Sequence, residues 1–72
     1  MKQDGQGKYI ELADFLKVIG LVATGGQAKQ LIRSGEITVN GENETRVRRK
    51  LRDGFIVGVK GKTFTADLTK LM

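Results

Sequence analysis

A helix start that contains two glycines is the feature that most constrains how this chain can fold. Thr24 and Gln27 have the Thr-x-x-Gln spacing of a capping box, in which the Thr24 hydroxyl accepts from the Gln27 amide and the Gln27 side chain reaches back to the Thr24 amide. Gly25 and Gly26 then fill the first helical positions, although glycine costs about 1 kcal/mol relative to alanine inside a helix. The unpaired N–H groups and partial positive charge of a helix start attract anions, which glycines allow to approach closely. The sequence therefore predicts a helix over about residues 25–34 with a start suited to an anion.

Two basic residues continue this feature along the same helix. Lys29 and Arg33 are spaced i, i+4 and therefore share one face, and the two glycines lie four and three residues before Lys29 on the same side. The apolar residues of the segment point elsewhere, toward a core: Ala28, Leu31 and Ile32. This pattern predicts a phosphate-binding ridge. The alternative is that the glycines mark a tight turn or close helix packing, and that the cations form a solvated face.

Composition narrows the classes of function. The 72 residues include no cysteine and no histidine, which excludes disulfides, thiolate chemistry and the commonest zinc sites. We expect no cofactor and no metal. The net charge of +5 and the pI of about 9.9 favour a polyanionic partner. The sequence shows neither the apolar core of a signal peptide nor a membrane-spanning run, so we expect a soluble cytoplasmic protein. We also expect a monomer.

The order of helix and strand patterns predicts the fold class. Residues 1–7 are expected to be a disordered tail and residues 8–72 a single domain, which begins with a short strand at 8–10. A helix is predicted from the spacing i, i+3, i+4, i+7 of four apolar residues, with Gly20 at its end: Leu12, Phe15, Leu16 and Ile19. Leu21 and Val22 are expected to fill the core between this helix and the next.

Strand patterns follow Gly35. Residues 37–39 alternate with period two, and Asn40-Gly41 is a strong hairpin signal. Further strands are predicted at 43–46, 55–59 and 63–66, and the last six residues are expected either to form a short helical turn or to fray. The predicted fold class is therefore α+β, with two helices followed by a small antiparallel sheet.

A dense basic run lies between the hairpin and the Asp53-Gly54 turn. Five of the thirteen basic residues fall within seven positions: Arg46, Arg48, Arg49, Lys50 and Arg52. If the segment is extended, four of them share one face while Val47 and Leu51 turn to the other. Such a row repels itself unless an anion neutralises it, so we interpret the run as a nucleic-acid surface rather than a solvated charge cluster.

These motifs resemble the S-four (S4) RNA-binding domain, a family named after a ribosomal protein of the small subunit. The resemblance covers about residues 10–60 and is most specific from Gln27 to Gly41, where the chain reads Gln-Ala-Lys-x-Leu-Ile-x-x-Gly and then Ile-x-Val-Asn-Gly. The helix start at Thr24 and the run from Glu44 to Lys50 are similar to the small stand-alone bacterial members of the YaaA and YbcJ type.

The resemblance implies a fold in which two packed helices and the following hairpin form an L-shaped motif on a small curved antiparallel sheet. It also implies binding of structured RNA, either ribosomal or transfer RNA, with a role at the ribosome in assembly or translation. The RNA-facing positions that it implies lie on the second helix and in the basic run: Thr24, Gly25, Gly26, Gln27, Lys29, Gln30, Arg33, Arg46, Arg48, Arg49, Lys50 and Arg52. Many members begin the first helix with a basic residue that contacts RNA, where this chain has Glu11. Three of the four aromatic residues are expected in the core, which leaves Tyr9 as the one able to add base stacking.

Three other functions compete with RNA binding. The acidic residues are scattered, and none pairs with a histidine or cysteine to make a nucleophile and base, so we do not expect an enzyme. A protein-interaction adaptor would use the basic face on an acidic partner. Non-specific binding to DNA or an anionic membrane would show no preference for RNA structure.

Overall fold

The computed structural model describes residues 8–71, without the side chains of residues 70 and 71, so the predicted tail at residues 1–7 lies outside the described part. Short helices and strands follow one another along these residues. In chain order they are β1 (Tyr9–Glu11), α1 (Leu12–Val18), α2 (Gly25–Arg33), β2 (Ile37–Val39), β3 (Glu42–Asn43), β4 (Lys50–Arg52), β5 (Ile56–Val59), β6 (Lys62–Thr65) and α3 (Leu68–Leu71). The predicted α+β class is confirmed.

The two longer helices lie where the apolar spacing predicts them. α1 turns Leu12, Phe15 and Leu16 into the core and is followed by Gly20, whose φ of +79° ends the helix in the left-handed conformation. α2 buries Ala28 and Ile32 and packs against α1. The two helices therefore present one shared apolar side to the strands.

The strands form two antiparallel sheets, where the sequence predicted one. β1 pairs with β4, with Ile10 opposite Leu51, while the larger sheet has the order β3-β2-β5-β6. The predicted hairpin turn is confirmed, since Asn40 and Gly41 have φ values of 53° and 87°, as a type I′ turn requires. The backbone N–H and side-chain Oδ1 of Asn40 also bond Ile56, at 2.7 and 2.9 Å, which ties this turn to the neighbouring strand.

The return strand of the hairpin is shorter than predicted. Residues 43–46 were expected to form it, whereas β3 ends at Asn43, whose side-chain Nδ2 donates to the carbonyl of Gly35 at 2.8 Å. The amide of Glu44 still donates to Ile37, at 2.9 Å, and the chain then leaves the sheet. The later strands and the terminal helix are within one residue or so of their predicted positions.

The core lies between the helix pair and the sheets. Its largest fully buried side chains are Phe15, Leu12, Leu16, Ile32, Ile37, Leu51, Leu68 and Val57. Phe55, Phe64 and Val22 are half-buried against this cluster, but Leu21 is 38% exposed, so its predicted place in the core is wrong. Among residues 8–71, no helix is both long enough and apolar enough to span a membrane.

Candidate nucleic-acid interface

The start of α2 is capped by Thr24, as predicted. The Thr24 Oγ1 accepts from the Gln27 amide at 3.1 Å. The return bond differs from the prediction, because the Gln27 Oε1 accepts from the amide of Ala23, at 2.8 Å, rather than from that of Thr24. The capping box therefore extends to Ala23, one residue before the cap. It fixes the direction in which α2 begins.

The two glycines of α2 are not required by packing. Gly25 and Gly26 are exposed; a Cβ added to Gly25 would meet no atom within 4 Å, and one on Gly26 would meet only the Thr24 Oγ1, at 3.9 Å. Neither glycine has the positive φ that favours this residue. The alternative of close helix packing is therefore wrong. Within the described residues, no contact or backbone conformation that requires glycine offsets the loss of helix propensity at these two positions.

The cations that follow the glycines are open to solvent. Lys29 and Arg33 are both exposed, and neither forms an ion pair or a side-chain hydrogen bond with any residue in the described part of the chain. Together with Gly25 and Gly26 they form what we call the α2 ridge. Bare amides at a helix start and two unpaired cations on one flank are the groups that bind phosphate oxygens.

Gln30 borders this ridge, whereas Gln27 lies apart from it. Gln30 follows Gly26 by four residues and precedes Arg33 by three, so it lies on the same side of α2 as these two residues. Gln27 and Gln30 also border a shallow groove on the next flank, together with Leu31 and Ser34. The structure therefore brings Gln30, but not Gln27, to the edge of the ridge.

The basic run is a loop over much of its length. The prediction of a single charged face required an extended segment from Arg46 to Arg52. Only Lys50–Arg52 form a strand, so the prediction is wrong for residues 46–49. The amide of Leu12 donates to the Arg49 carbonyl at 2.8 Å and that of Ala13 to the Val47 carbonyl at 3.1 Å. Because α1 has no side-chain cap, these loop carbonyls satisfy its first amides and draw the loop away from a strand.

The loop nevertheless separates basic from apolar side chains as predicted. Val47 is half-buried and Leu51 fully buried, on the side of the core. A shallow groove on the outside is lined by Arg46, Arg48, Arg49 and Lys50, which we call the basic loop. The Arg46 and Arg48 side chains are 68% and 82% exposed, and that of Arg49 31%.

Two carboxylates within the domain neutralise part of this charge, which the sequence interpretation missed. Glu44 receives two bonds from the Arg46 guanidinium, Nε to Oε2 at 2.8 Å and Nη2 to Oε1 at 3.1 Å, and lies 3.7 Å from Arg49 Nη1. Glu11 pairs with the Arg48 Nε at 3.3 Å. Glu44 lies only two residues before Arg46, so the sequence could have predicted this ion pair. Glu11 and Arg48 are 37 residues apart, and no local pattern predicts their contact. Four cations against two carboxylates leave the basic loop positive.

Glu44 is the buried acid of this site, with only 8% of its surface exposed. The Arg46 side-chain hydrogen bonds, aided by the Arg46 amide and the charge of Arg49, lower the pKa of Glu44 from its ordinary value of 4.5 and outweigh the opposing effect of burial. A carboxylate whose pKa is lower in the folded state contributes stability above its unfolded pKa, and that stability is lost as the pH falls through the folded pKa.

We therefore expect the Glu44→Gln variant to lose part of the acid sensitivity of folding. Glutamine is similar in shape but cannot be protonated, so the fall in the free energy of unfolding below about pH 4.5 should be shallower than in the wild type. Urea unfolding at a series of pH values between 3 and 7 measures this. Glu42→Gln, an exposed carboxylate in β3, is the matched control and should keep the wild-type slope. Equal slopes for all three proteins would contradict the role given to Glu44.

The acidic side chains of the described residues do not gather into a metal site. Within residues 8–71, no cluster of three or more His, Cys, Asp or Glu side chains could hold a metal ion. The α2 ridge and the basic loop offer backbone amides, ammonium and guanidinium groups, which bind anions.

Comparison with known proteins agrees with this chemistry. The family model described as the S4 domain matches residues 4–66. A protein of Escherichia coli (strain K12) named "Putative RNA-binding protein YbcJ" is 40% identical over 57 residues, which are 79% of this chain and 81% of the relative. A protein of Bacillus subtilis (strain 168) named "Probable ribosome maturation protein RlbA" is 38% identical over 52 residues, 72% of this chain and 73% of that protein.

The match extends over most of the chain and includes α1, α2, the hairpin and the basic loop. With a fold of two packed helices and small antiparallel sheets as well, this chain belongs to the S4 domain family.

Proposed function

We propose that this protein is a small cytoplasmic RNA-binding module that holds the backbone of a structured RNA, ribosomal or transfer RNA, through the α2 ridge and the basic loop. It binds rather than catalyses, acts as a monomer, and serves ribosome assembly or translation. The names of its relatives, one an RNA-binding protein and one a ribosome maturation protein, support this role.

One observation carries the proposal. Gly25 and Gly26 weaken α2, yet neither close packing nor backbone conformation calls for glycine at either position. A ligand that must approach the backbone amides closely would explain both glycines, because glycine has no side chain in its way. Lys29 and Arg33 continue the same flank with two positive charges that pair with no side chain among the residues that the structure describes, so a phosphate at the helix start would have cations beside it.

The basic loop supplies the second part of the proposed surface. Its backbone is bonded to the first amides of α1, and α1 in turn packs against α2, so the loop and the ridge are held by the same helix. Since A-form RNA is recognised mostly by shape and backbone contacts, charge and bare amides suit folded RNA better than sequence readout of a DNA groove.

The test of this proposal separates stability from binding. Replacing Gly25 and Gly26 together by alanine should raise the free energy of unfolding by about 0.5 to 1 kcal/mol per site, because alanine is the better helix former. The same change should weaken binding of a labelled transfer RNA or ribosomal RNA fragment severalfold, because two methyl groups then stand between the amides and a phosphate. Chemical denaturation and fluorescence anisotropy measure the two effects.

A control variant and competing ligands complete this experiment. Val18→Ala also improves helix propensity, on an exposed position of α1, and should leave RNA affinity unchanged. Unlabelled folded RNA should displace the probe far better than duplex DNA or an acidic protein of equal charge. Unchanged affinity in the double-alanine variant would remove the α2 start from the site, and equal competition by the acidic protein would favour the adaptor function.

A further inference from the structure

β1 and β4 form a two-stranded ribbon, and its outer face carries an aromatic ring that is not part of the hydrophobic core. Antiparallel pairing places Tyr9 opposite Arg52 and Glu11 opposite Lys50, whereas Ile10 and Leu51 turn inward. Tyr9 is 40% exposed. Because β4 is the one strand that β1 pairs with in the described sheet, the other edge of β1 is not covered by a strand.

Cations surround this ring. The Nζ of Lys50 lies 4.9 Å from the ring centroid of Tyr9 and the guanidinium carbon of Arg52 lies 5.4 Å from it. Both side chains come from β4, so they approach the ring from the side of that strand and hold its orientation. Lys50 also lines the groove of the basic loop, which makes the ring and the groove one continuous surface.

We propose that Tyr9 is a stacking platform for an unpaired base of the bound RNA, with Lys50 beside it to hold the flanking phosphate. An exposed aromatic face next to cations is the combination on which proteins stack single-stranded nucleotides, and it accepts any base because each has a π-face. This inference rests on the proposed function and adds the class of RNA, one that has a loop, bulge or end next to the part held by the basic loop.

The alternative is that the ring contacts serve only to fasten β1 to β4, and the two interpretations differ in what an RNA base does to the ring. Tyr9 is the single tyrosine of the chain, so 3-fluorotyrosine labelling gives one fluorine resonance that reports on this ring alone. An RNA hairpin with an unpaired seven-nucleotide loop should shift the resonance by ring-current effects. The same stem as a blunt duplex, and inorganic polyphosphate, should shift it much less.

Variants supply a second readout. Tyr9→Leu should weaken binding of the looped hairpin about tenfold and leave binding of the blunt duplex nearly unchanged, because leucine keeps an apolar side chain and loses the stack. Tyr9→Phe should retain the looped-hairpin affinity. Thermal unfolding of both variants checks that the ribbon remains folded.

The outcomes keep this inference separate from the proposed function. If both RNAs bind but the resonance moves equally with RNA and polyphosphate, or if Tyr9→Leu binds both RNAs as the wild type does, the stacking platform is overturned and the backbone site stands. If neither RNA binds, the proposed function fails and this inference fails with it.

Discussion

Replacing Phe15 by alanine should lower the free energy of unfolding by about 3 to 5 kcal/mol. Phe15 is fully buried on α1, in the core cluster that joins both helices to the sheets. Its removal loses the transfer energy of the ring and leaves a cavity that a small domain cannot fill by rearrangement. Single cores of this size rarely supply more than about 3 to 5 kcal/mol, so the variant should be largely unfolded at 25 °C. Circular dichroism at 222 nm, followed through urea, measures the change.

Val18→Ala is the matched control for this prediction. Val18 lies on the same helix but its surface is 53% exposed, so the substitution removes an apolar side chain without opening a cavity. Its effect should stay within about 0.5 kcal/mol. A loss of less than about 1 kcal/mol in Phe15→Ala would mean that the packing of α1 does not hold the domain together.

The elements that sequence reasoning located well are those whose signals are local. The spacing around Phe15, the Thr24 cap and the Asn40-Gly41 turn each depend on residues within a few positions of one another, and each lies where predicted. The exposed side of α2 could be predicted for the same reason. The apolar spacing turns Ala28 toward the core, so the opposite side of the helix faces solvent.

The errors arise where partners are distant in sequence. Residues 46–49 alternate like a strand, but their carbonyls bond the first amides of α1, more than thirty residues earlier, and this overrides the local pattern. The same long-range contact brings Glu11 to Arg48. Two sheets form instead of one for a related reason, since β4 pairs with the strand before the helices rather than with the hairpin.

Reversing charge at the α2 ridge should cause the largest loss of RNA binding. Lys29→Glu is expected to weaken binding at least tenfold, because it removes a cation and places a carboxylate beside the proposed phosphate. If the wild type neutralises about six phosphates, log affinity falls with log salt at a slope of about −4 to −5, and the variant slope should be shallower by about 1. Fluorescence anisotropy across a salt series measures the affinity and its salt slope.

Gly26→Asp, which places a carboxylate next to the backbone amides at the start of α2, should weaken RNA binding to a similar extent.

Lys29 is a better target than the arginines of the basic loop because its side chain has no partner among residues 8–71 that the substitution would release. Arg49 lies 3.7 Å from the buried Glu44 and its guanidinium carbon lies 5.8 Å from the ring centroid of Phe55, so changing it would disturb the fold as well as the charge. Lys62→Glu, on an exposed position of β6, makes the same change in net charge as Lys29→Glu and lies outside the proposed surface. Its affinity should fall less than threefold. If Lys62→Glu and Lys29→Glu weaken binding equally, the protein attracts RNA by net charge alone and the α2 ridge is not its site.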